Sequence, residues 1–326
     1  MNTLYKYTSN FGVNFFKNPK VKLSNPSYLN DPFESEAGDN VISVIEESYT
    51  KSINEWLDIG TKDVLNYTMK EFGIFSLSET PRNPLMWAHY ANEHNGICIG
   101  YNRHLFKDMR KSEDRIHTIA EYEPVKVNYD NYRFDRQQEI SCFDDLTNAV
   151  KSPMITKSDE WIYEKEHRCI IPLICATSFI VDKKSAKNIS HFDKTTTINA
   201  YLKKCINEGV VKRINKNEYT ITEHNYNDKR SETILALSTF GCVSFLYKID
   251  HKFISSIYLG FRTSDKYVNE IYSMINEKDS KLSHVKLYKF KLSTKRFELL
   301  PDVVNSEYIK NMIADSAAKD DLARKG

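Results

Sequence analysis

The pattern of apolar and polar positions divides the chain into short helices and strands. Helices are predicted where apolar residues recur every three or four positions, most clearly in Asp39–Phe72. The other predicted helices are Asn83–Glu93 (led by Pro84), Glu139–Val150, Thr196–Glu208 and Asp265–Asn276. Short alternating or continuous apolar runs predict strands. These runs are Thr3–Tyr7, Gly73–Leu77, Gly96–Tyr101, Glu121–Tyr129, His167–Ile174, Glu218–Glu223, Ile254–Gly260 and Val285–Leu292.

The order of these elements indicates the fold class. Strands and helices alternate without a regular βαβ rhythm, and no glycine-rich phosphate loop follows a strand, which disfavours a Rossmann or P-loop fold. We therefore predict an α+β fold, with a mixed, mostly antiparallel central sheet and flanking helices. Residues 1–304 are expected to form a single domain with a polar, Lys/Asn-rich insertion at about 177–231, and residues 305–326 a helical tail.

Composition and charge argue against several classes of protein. The 46 basic and 44 acidic residues give a net charge of +2, without the strong excess expected of a protein held mainly by nucleic-acid phosphates. The six cysteines include no CxxC pair, so neither a metal site nor a disulfide framework is expected. The longest apolar stretch, Cys169–Val181, is too short to cross a bilayer and no apolar leader is visible. These features predict a cytoplasmic protein.

The first motif with candidate chemistry is the opening strand, LYKYTS. Lys6 lies between Tyr5 and Tyr7, where its ammonium could meet an anion or a ribose hydroxyl. The alternative is an edge-strand lysine that protects against aggregation, which is common.

The second motif is LNDPFE. Asn30, Asp31 and Pro32 form a turn sequence, because Asn and Asp side chains cap nearby backbone N–H groups and proline fixes φ. This turn would display Glu34 and Glu36 at its exit, an acidic pair that turn architecture alone does not explain.

The third motif combines FSLSE, MWAHYA and GICIGY, which contain Ser76, Trp87, His89, Tyr90 and Tyr101. On a helix, Trp87 and Tyr90 share a face, a stripe that is more often core than ligand site. His89 and His94 are five residues apart, which is the wrong spacing for two helical ligands to one metal.

The fourth motif is WIYEKEHR. In a strand, Glu164 and Glu166 would point to one face with Lys165 opposite. Two such carboxylates beside His167 and Arg168 could anchor a sugar hydroxyl or stabilise an oxocarbenium-like charge. The alternative is a surface ladder of ion pairs with Lys157 and Arg168.

Together these motifs, with the late segments IYLGFR and VKLY, resemble a bacterial family catalogued as a domain of unknown function, number 2971. The resemblance extends from about residue 4 to residue 300, interrupted by the polar insertion. The family implies no established activity.

A second resemblance, to ADP-ribosyltransferase-like enzymes, implies a mechanism. In that arrangement Lys6 takes the place of a residue that holds the adenosine ribose, although a histidine is expected there. Tyr90 (or Tyr101) takes the place of the tyrosine that stacks on nicotinamide. Glu166 (or Glu164) takes the place of the glutamate at the breaking glycosidic bond.

The leading hypothesis is therefore an NAD-handling, ADP-ribosyltransferase-like enzyme that needs no metal and acts as a bacterial toxin or phage-defence effector. Its acceptor would be a protein or a nucleic acid. The expected catalytic residues are Glu166, Glu164 and Tyr90, and the expected cofactor-binding residues are Lys6, Tyr5, Asn30, Asp31, Glu34, Ser76, Trp87, His89, Tyr101 and Arg168. One alternative is a non-enzymatic nucleotide- or protein-binding module. Another is a nucleic-acid-modifying enzyme that holds its target with the basic insertion Lys183–Arg230.

Overall fold

The structure is a computed structural model, and it describes residues 2–26, 29–35, 37–49, 60–109, 118–133, 142–182, 196–222 and 228–325. The helices are α1 (Asn14–Lys17), α2 (Asp39–Tyr49), α3 (Thr61–Met69), α4 (Pro84–Tyr90), α5 (Phe143–Ile155), α6 (Ile198–Asn207), α7 (Asp228–Ser238), α8 (Asp265–Ile275) and α9 (Ser306–Lys325). The strands are β1 (Thr3–Thr8), β2 (Lys20–Leu23), β3 (Phe72–Ser78), β4 (Ile97–Asn102), β5 (Glu121–Lys126), β6 (Asn128–Tyr129), β7 (Thr156–Lys157), β8 (Glu166–Pro172), β9 (Ser178–Val181), β10 (Val211–Arg213), β11 (Glu218–Ile221), β12 (Val243–Lys248), β13 (Ile254–Leu259), β14 (Lys286–Leu292) and β15 (Leu299–Val303).

The largest sheet has eight strands in the order β15-β14-β13-β4-β1-β3-β8-β5. Every neighbouring pair is antiparallel except β13 and β14, which run parallel. This mixed, mostly antiparallel sheet with its helices confirms the predicted α+β class. A second sheet of five antiparallel strands has the order β10-β11-β9-β12-β2.

The two sheets share one hydrophobic core. Leu23 of β2 is fully buried, and a bridge between Ser24 and Ile74 joins the end of β2 to β3. A Cβ atom on Gly73 would lie 2.5 Å from the Leu23 side chain, so this close approach requires glycine. The predicted strand Gly73–Leu77 lies within β3, whose backbone packs directly against β2 at this glycine.

The polar segment at about 177–231 supplies β9, β10 and β11 to the five-stranded sheet. Phe179 of β9 is fully buried against Tyr219 and Phe245. Each of its three strands therefore contributes at least one buried apolar residue to the core. Residues 183–195 and 223–227 of it lie outside the described ranges.

Two predicted helices differ from the structure at their ends. The range Asp39–Phe72 is not one continuous helix, because Gly60 has an extended backbone and α3 begins at Thr61; residues 50–59 lie outside the described ranges. The helix predicted to reach Glu93 ends at Tyr90, because Asn92, Glu93 and His94 have left-handed φ values of 47°, 51° and 69°. No described helix is long and apolar enough to cross a membrane.

Candidate functional site

The candidate site is an opening in the eight-stranded sheet between β1 and β3. Strand β1 pairs with β4 at six positions, from Thr3 to Thr8, but with β3 only at Tyr5 and Ser78. Where pairing with β3 is missing, a cavity of about 310 Å³ is present, which we call the main cavity. It brings together Tyr5, Lys6, Lys22, Leu29, Asn30, Glu34, Ser76, Met86, Tyr90, Lys157, Glu164, Glu166 and Arg168, with further residues of β1 and β3.

Most of the residues expected from the sequence meet in this cavity. Those that line it are Tyr5, Lys6, Asn30, Glu34, Ser76, Tyr90, Glu164, Glu166 and Arg168. They come from four separated segments: β1, the turn before α2, β3 with α4, and the 3-10 helix that leads into β8. The sheet therefore places all four predicted motifs around one opening.

Four expected residues lie elsewhere. Trp87 and Tyr101 are buried in the core: the Trp87 ring packs edge-on against Tyr7, and the Tyr101 ring packs against Phe75. Trp87 also donates its indole N–H to the carbonyl of Pro81. His89 is exposed, on a different side of α4 from buried Trp87. Asp31 lines a neighbouring cavity.

The two glutamates of the fourth motif lie in different secondary-structure elements, whereas one strand was predicted for both. Glu164 is the last residue of a 3-10 helix (Asp159–Glu164), and Glu166 is the first residue of β8. Lys165 between them is left-handed, with a φ of 46°, and caps the C-terminus of the 3-10 helix. The expected strand pairing of Glu164 and Glu166 on one face is thus wrong, although both carboxylates are buried at the cavity wall.

Arg168 organises one half of this wall. Its guanidinium is buried and holds Glu166 with two bonds, Nε to Oε1 at 2.9 Å and Nη2 to Oε2 at 2.8 Å. It also donates to Glu34 and, at 2.8 Å, to the carbonyl of Met154. Burial acts to raise the pKa of Glu166, but the charge and hydrogen bonds of Arg168 prevail and lower it to about 2. Burial raises the pKa of Glu34 against the opposing effect of Arg168.

Lys157 and Tyr90 organise the other half around Glu164. The Lys157 ammonium lies 2.7 Å from Oε2 of Glu164 and 4.4 Å from the centre of the Trp161 ring. The Tyr90 hydroxyl donates to Oε1 of Glu164 at 2.5 Å. Burial, reinforced by Glu164, raises the pKa of Tyr90, so this hydroxyl stays protonated and acts as a donor at neutral pH. Asn30 also hydrogen-bonds Tyr90 through its side chain.

Lys6 and Lys22 also supply positive charge to the cavity, but unlike Arg168 and Lys157 they are not paired with a described carboxylate. Neither ammonium has an ion-pair partner among the residues that the structure describes, although both residues line the cavity. Lys6 is half-buried, with its ammonium 5.5 Å from the centre of the Phe75 ring. Burial lowers the pKa of Lys6 to about 8, partly offset by Glu166. At pH 7 the cavity therefore presents an ammonium that forms no ion pair with a described carboxylate.

Sequence reasoning missed Lys22 and Lys157 as cavity residues. Lys22 belongs to β2, which was not predicted because KVKL is only four residues long. The alternation of lysine and apolar residues in KVKL was the sequence signal from which this strand could have been predicted. Lys157 entered the sequence analysis only as a partner in the alternative surface ladder of ion pairs, and its side chain is only 4% exposed.

Comparison with known proteins finds a family similarity that covers part of this site. Residues 86–169 match the family model described as "Protein of unknown function (DUF2971)". No curated protein and no solved structure matches the chain. The matched range includes Tyr90, Lys157 and the Glu164–Arg168 segment, whereas Lys6 and Lys22 precede it. Over residues 86–169 the chain is thus similar to the DUF2971 proteins of unknown function, in agreement with the resemblance of its MWAHYA and WIYEKEHR motifs.

Proposed function

We propose that the protein is an ADP-ribosyltransferase-like enzyme that binds NAD in the main cavity and cleaves its nicotinamide–ribose bond. The observation that supports this most is the meeting of Lys6, Tyr90 and Glu164 in one cavity. These residues come from three distant segments, and each has the chemistry that one part of NAD requires.

The unpaired ammoniums of Lys6 and Lys22 suit an anionic ligand. A pyrophosphate would supply the counter-ions that no described side chain provides. Charge-assisted hydrogen bonds between ammonium and phosphate are among the strong polar contacts in proteins. This supports a phosphate-bearing nucleotide over a neutral sugar.

Glu164 is the carboxylate best suited to the reacting end. When the glycosidic bond breaks, its electron pair leaves with nicotinamide, which becomes neutral, and the ribose becomes an oxocarbenium-like cation. A buried carboxylate stabilises such a cation in the transition state. Glu166 is held at both oxygens by Arg168. Among the described residues, Oε1 of Glu164 accepts only the Tyr90 hydroxyl, which a ribose hydroxyl could replace. The cation is then captured by water or by an acceptor.

A second candidate is a nucleotide-binding module without activity. It is favoured by the ion pairs of all three carboxylates, because Glu34 and Glu166 bind Arg168 and Glu164 binds Lys157. A carboxylate that keeps its partner during binding would position a ligand without promoting its cleavage.

Incubation of the purified protein with NAD labelled in both halves separates the two candidates. We expect free nicotinamide, together with ADP-ribose or a labelled acceptor. NAD that is bound but recovered intact would support the binding module, and the absence of both binding and cleavage would refute both candidates.

The cellular role that we propose is a toxin or phage-defence effector, since an enzyme that consumes NAD arrests growth. Induced expression should lower cellular NAD before growth stops. Growth arrest with NAD unchanged would contradict this role. It would then favour the nucleic-acid-modifying alternative, whose basic segment Lys183–Arg230 lies partly outside the described residues.

A further inference from the structure

A second cavity adjoins the main cavity. It has a volume of about 250 Å³, and its wall includes Asp31, Phe33, Glu34, Asp130, Arg133 and Lys157. Glu34 and Lys157 also line the main cavity. The two cavities therefore share a wall made of side chains that the proposed function already uses.

The turn before α2 lies between the two cavities, and its successive residues line one cavity or the other. Leu29 and Asn30 line the main cavity, Asp31 and Phe33 line the second one, and Glu34 lines both. The LNDPFE motif thus contributes to two neighbouring spaces.

Asp31 is the unusual group in the second cavity. The residue is only 1% exposed. Its Oδ1 accepts a hydrogen bond from the backbone N–H of Phe33 at 2.9 Å, as expected of a turn residue. Its Oδ2 is buried and has no hydrogen-bond partner among the described residues. A buried carboxylate oxygen without a partner is costly, so a structural role in the turn explains only half of this side chain.

The cations of this cavity are engaged elsewhere. Lys157 pairs with Glu164, and Arg133 donates a hydrogen bond to the carbonyl of Phe33. Asp130 at the rim is exposed and accepts from the backbone N–H of Tyr132. The negative charge of Asp31 is thus left to be met by a ligand.

We propose that the second cavity is a binding site for an organic cation, either a guanidinium or an alkylammonium group, whose N–H groups satisfy Oδ2 of Asp31. Phe33, which is 63% exposed, offers an aromatic face to the same cation. The described residues contain no group of three His, Cys, Asp or Glu side chains placed to hold a metal ion, which favours an organic ligand.

The shared wall suggests what this cation does. Lys157 contacts Glu164 and lines the second cavity, so a cation bound there lies next to the reacting end of the main cavity. We assign it to the acceptor of the transferred group. That assignment rests on the proposed function, whereas binding of the cation does not.

Titration followed by NMR tests the binding, with methylguanidinium and butylammonium as probes and the neutral analogues methylurea and butanol as controls. We expect at least one cation to bind and neither neutral analogue to do so. Asp31→Asn should weaken the cation about tenfold or more, because a charged partner is lost while the Oδ1 acceptor is retained. Asp130→Asn, the matched change at the rim, should weaken it less than about threefold.

Equal binding of the neutral analogues, or equal effects of the two substitutions, would overturn the proposal. If Asp31→Asn does not fold, the backbone amide resonance of Phe33 in the unaltered protein replaces it, because this amide shares the Asp31 carboxylate with the ligand. Methylguanidinium must shift it and methylurea must not. Nicotinamide release to water, measured on the same samples, reports separately on the proposed function.

Discussion

At the scale of single residues, the main cavity contains two kinds of cation. Arg168 and Lys157 are buried and paired with carboxylates, so they hold the wall together. Lys6 is half-buried without such a partner among the described residues, and Glu166 and Glu164 only partly offset the loss of hydration of its ammonium. The paired cations therefore stabilise the fold, whereas Lys6 is expected to destabilise the empty protein and to bind the ligand.

Replacement of Lys6 tests this difference. Burial lowers the pKa of Lys6 from 10.5 to about 8, so between these pH values the unfolded chain binds more protons and the stability of the native protein rises with pH. Lys6→Met should stabilise the empty protein at pH 7 by on the order of 1 kcal/mol and should remove this rise. Urea unfolding at pH 7 and pH 10 measures both effects.

The same substitution should abolish a pH effect on binding. ADP-ribose should bind the unaltered protein several-fold more weakly at pH 9.5 than at pH 7, because Lys6 loses its proton near pH 8. Calorimetric titration of Lys6→Met should show weak binding at both values. An identical pH dependence of binding in the two proteins would show that Lys6 does not bind the anion.

Replacement of Arg168 should destabilise the protein, whereas replacement of Lys6 should stabilise it. Arg168→Met leaves Glu34 and Glu166 buried without their guanidinium partner, which we expect to cost about 3–5 kcal/mol of unfolding free energy. Lys291→Met, which breaks an exposed pair with Asp302, should cost less than about 1 kcal/mol and serves as the control in urea unfolding. Similar losses in the two variants would contradict a structural role for the buried network.

Residue types and spacing were sufficient to predict much of the cavity wall. Lys6, Tyr90 and the two glutamates were recognised because charged and aromatic side chains sit beside apolar strands. Trp87 and Tyr101 could not be separated from them, since helical and strand periodicity does not tell which face meets the core. Lys22 was missed because its strand is only four residues long and is held by pairing with the distant β12.

At the scale of elements, a single left-handed residue aligns Glu164 and Glu166. Lys165 ends the 3-10 helix at φ 46° and allows β8 to begin at Glu166. In this arrangement Glu164 contacts Lys157 at 2.7 Å, whereas Glu166 begins the strand and contacts Arg168. Local periodicity could not reveal this, because a left-handed lysine leaves no apolar pattern.

Substitutions at Lys165 test whether this position requires a left-handed backbone conformation. Lys165→Gly should keep activity and stabilise the protein by up to about 1 kcal/mol, since glycine adopts a positive φ without steric cost. Lys165→Ile should destabilise it by about 1–2 kcal/mol, because a β-branched side chain disfavours this conformation. Thermal unfolding measures both. Equal stability of the two variants would show that the turn is not under conformational strain.

At the scale of the whole molecule, the site exists because a sheet of eight strands is incompletely paired. Strand β1 is fully paired with β4 on one side and meets β3 at one position on the other. The five-stranded sheet, joined through Ser24 and Ile74, brings Lys22 to the same opening. The fold class followed from the order of elements, but the opening depends on strand order, which one sequence does not specify.

The central claim is that Glu164 stabilises the charge that develops when NAD is cleaved. Nicotinamide release by Glu164→Gln tests it most directly, with Glu121→Gln as the matched control, because Glu121 pairs with Lys151 outside the main cavity. We predict a loss of roughly 100-fold or more in kcat for Glu164→Gln and no change for Glu121→Gln. Nicotinamide release by Glu164→Gln at the rate of the unaltered protein would contradict the claim.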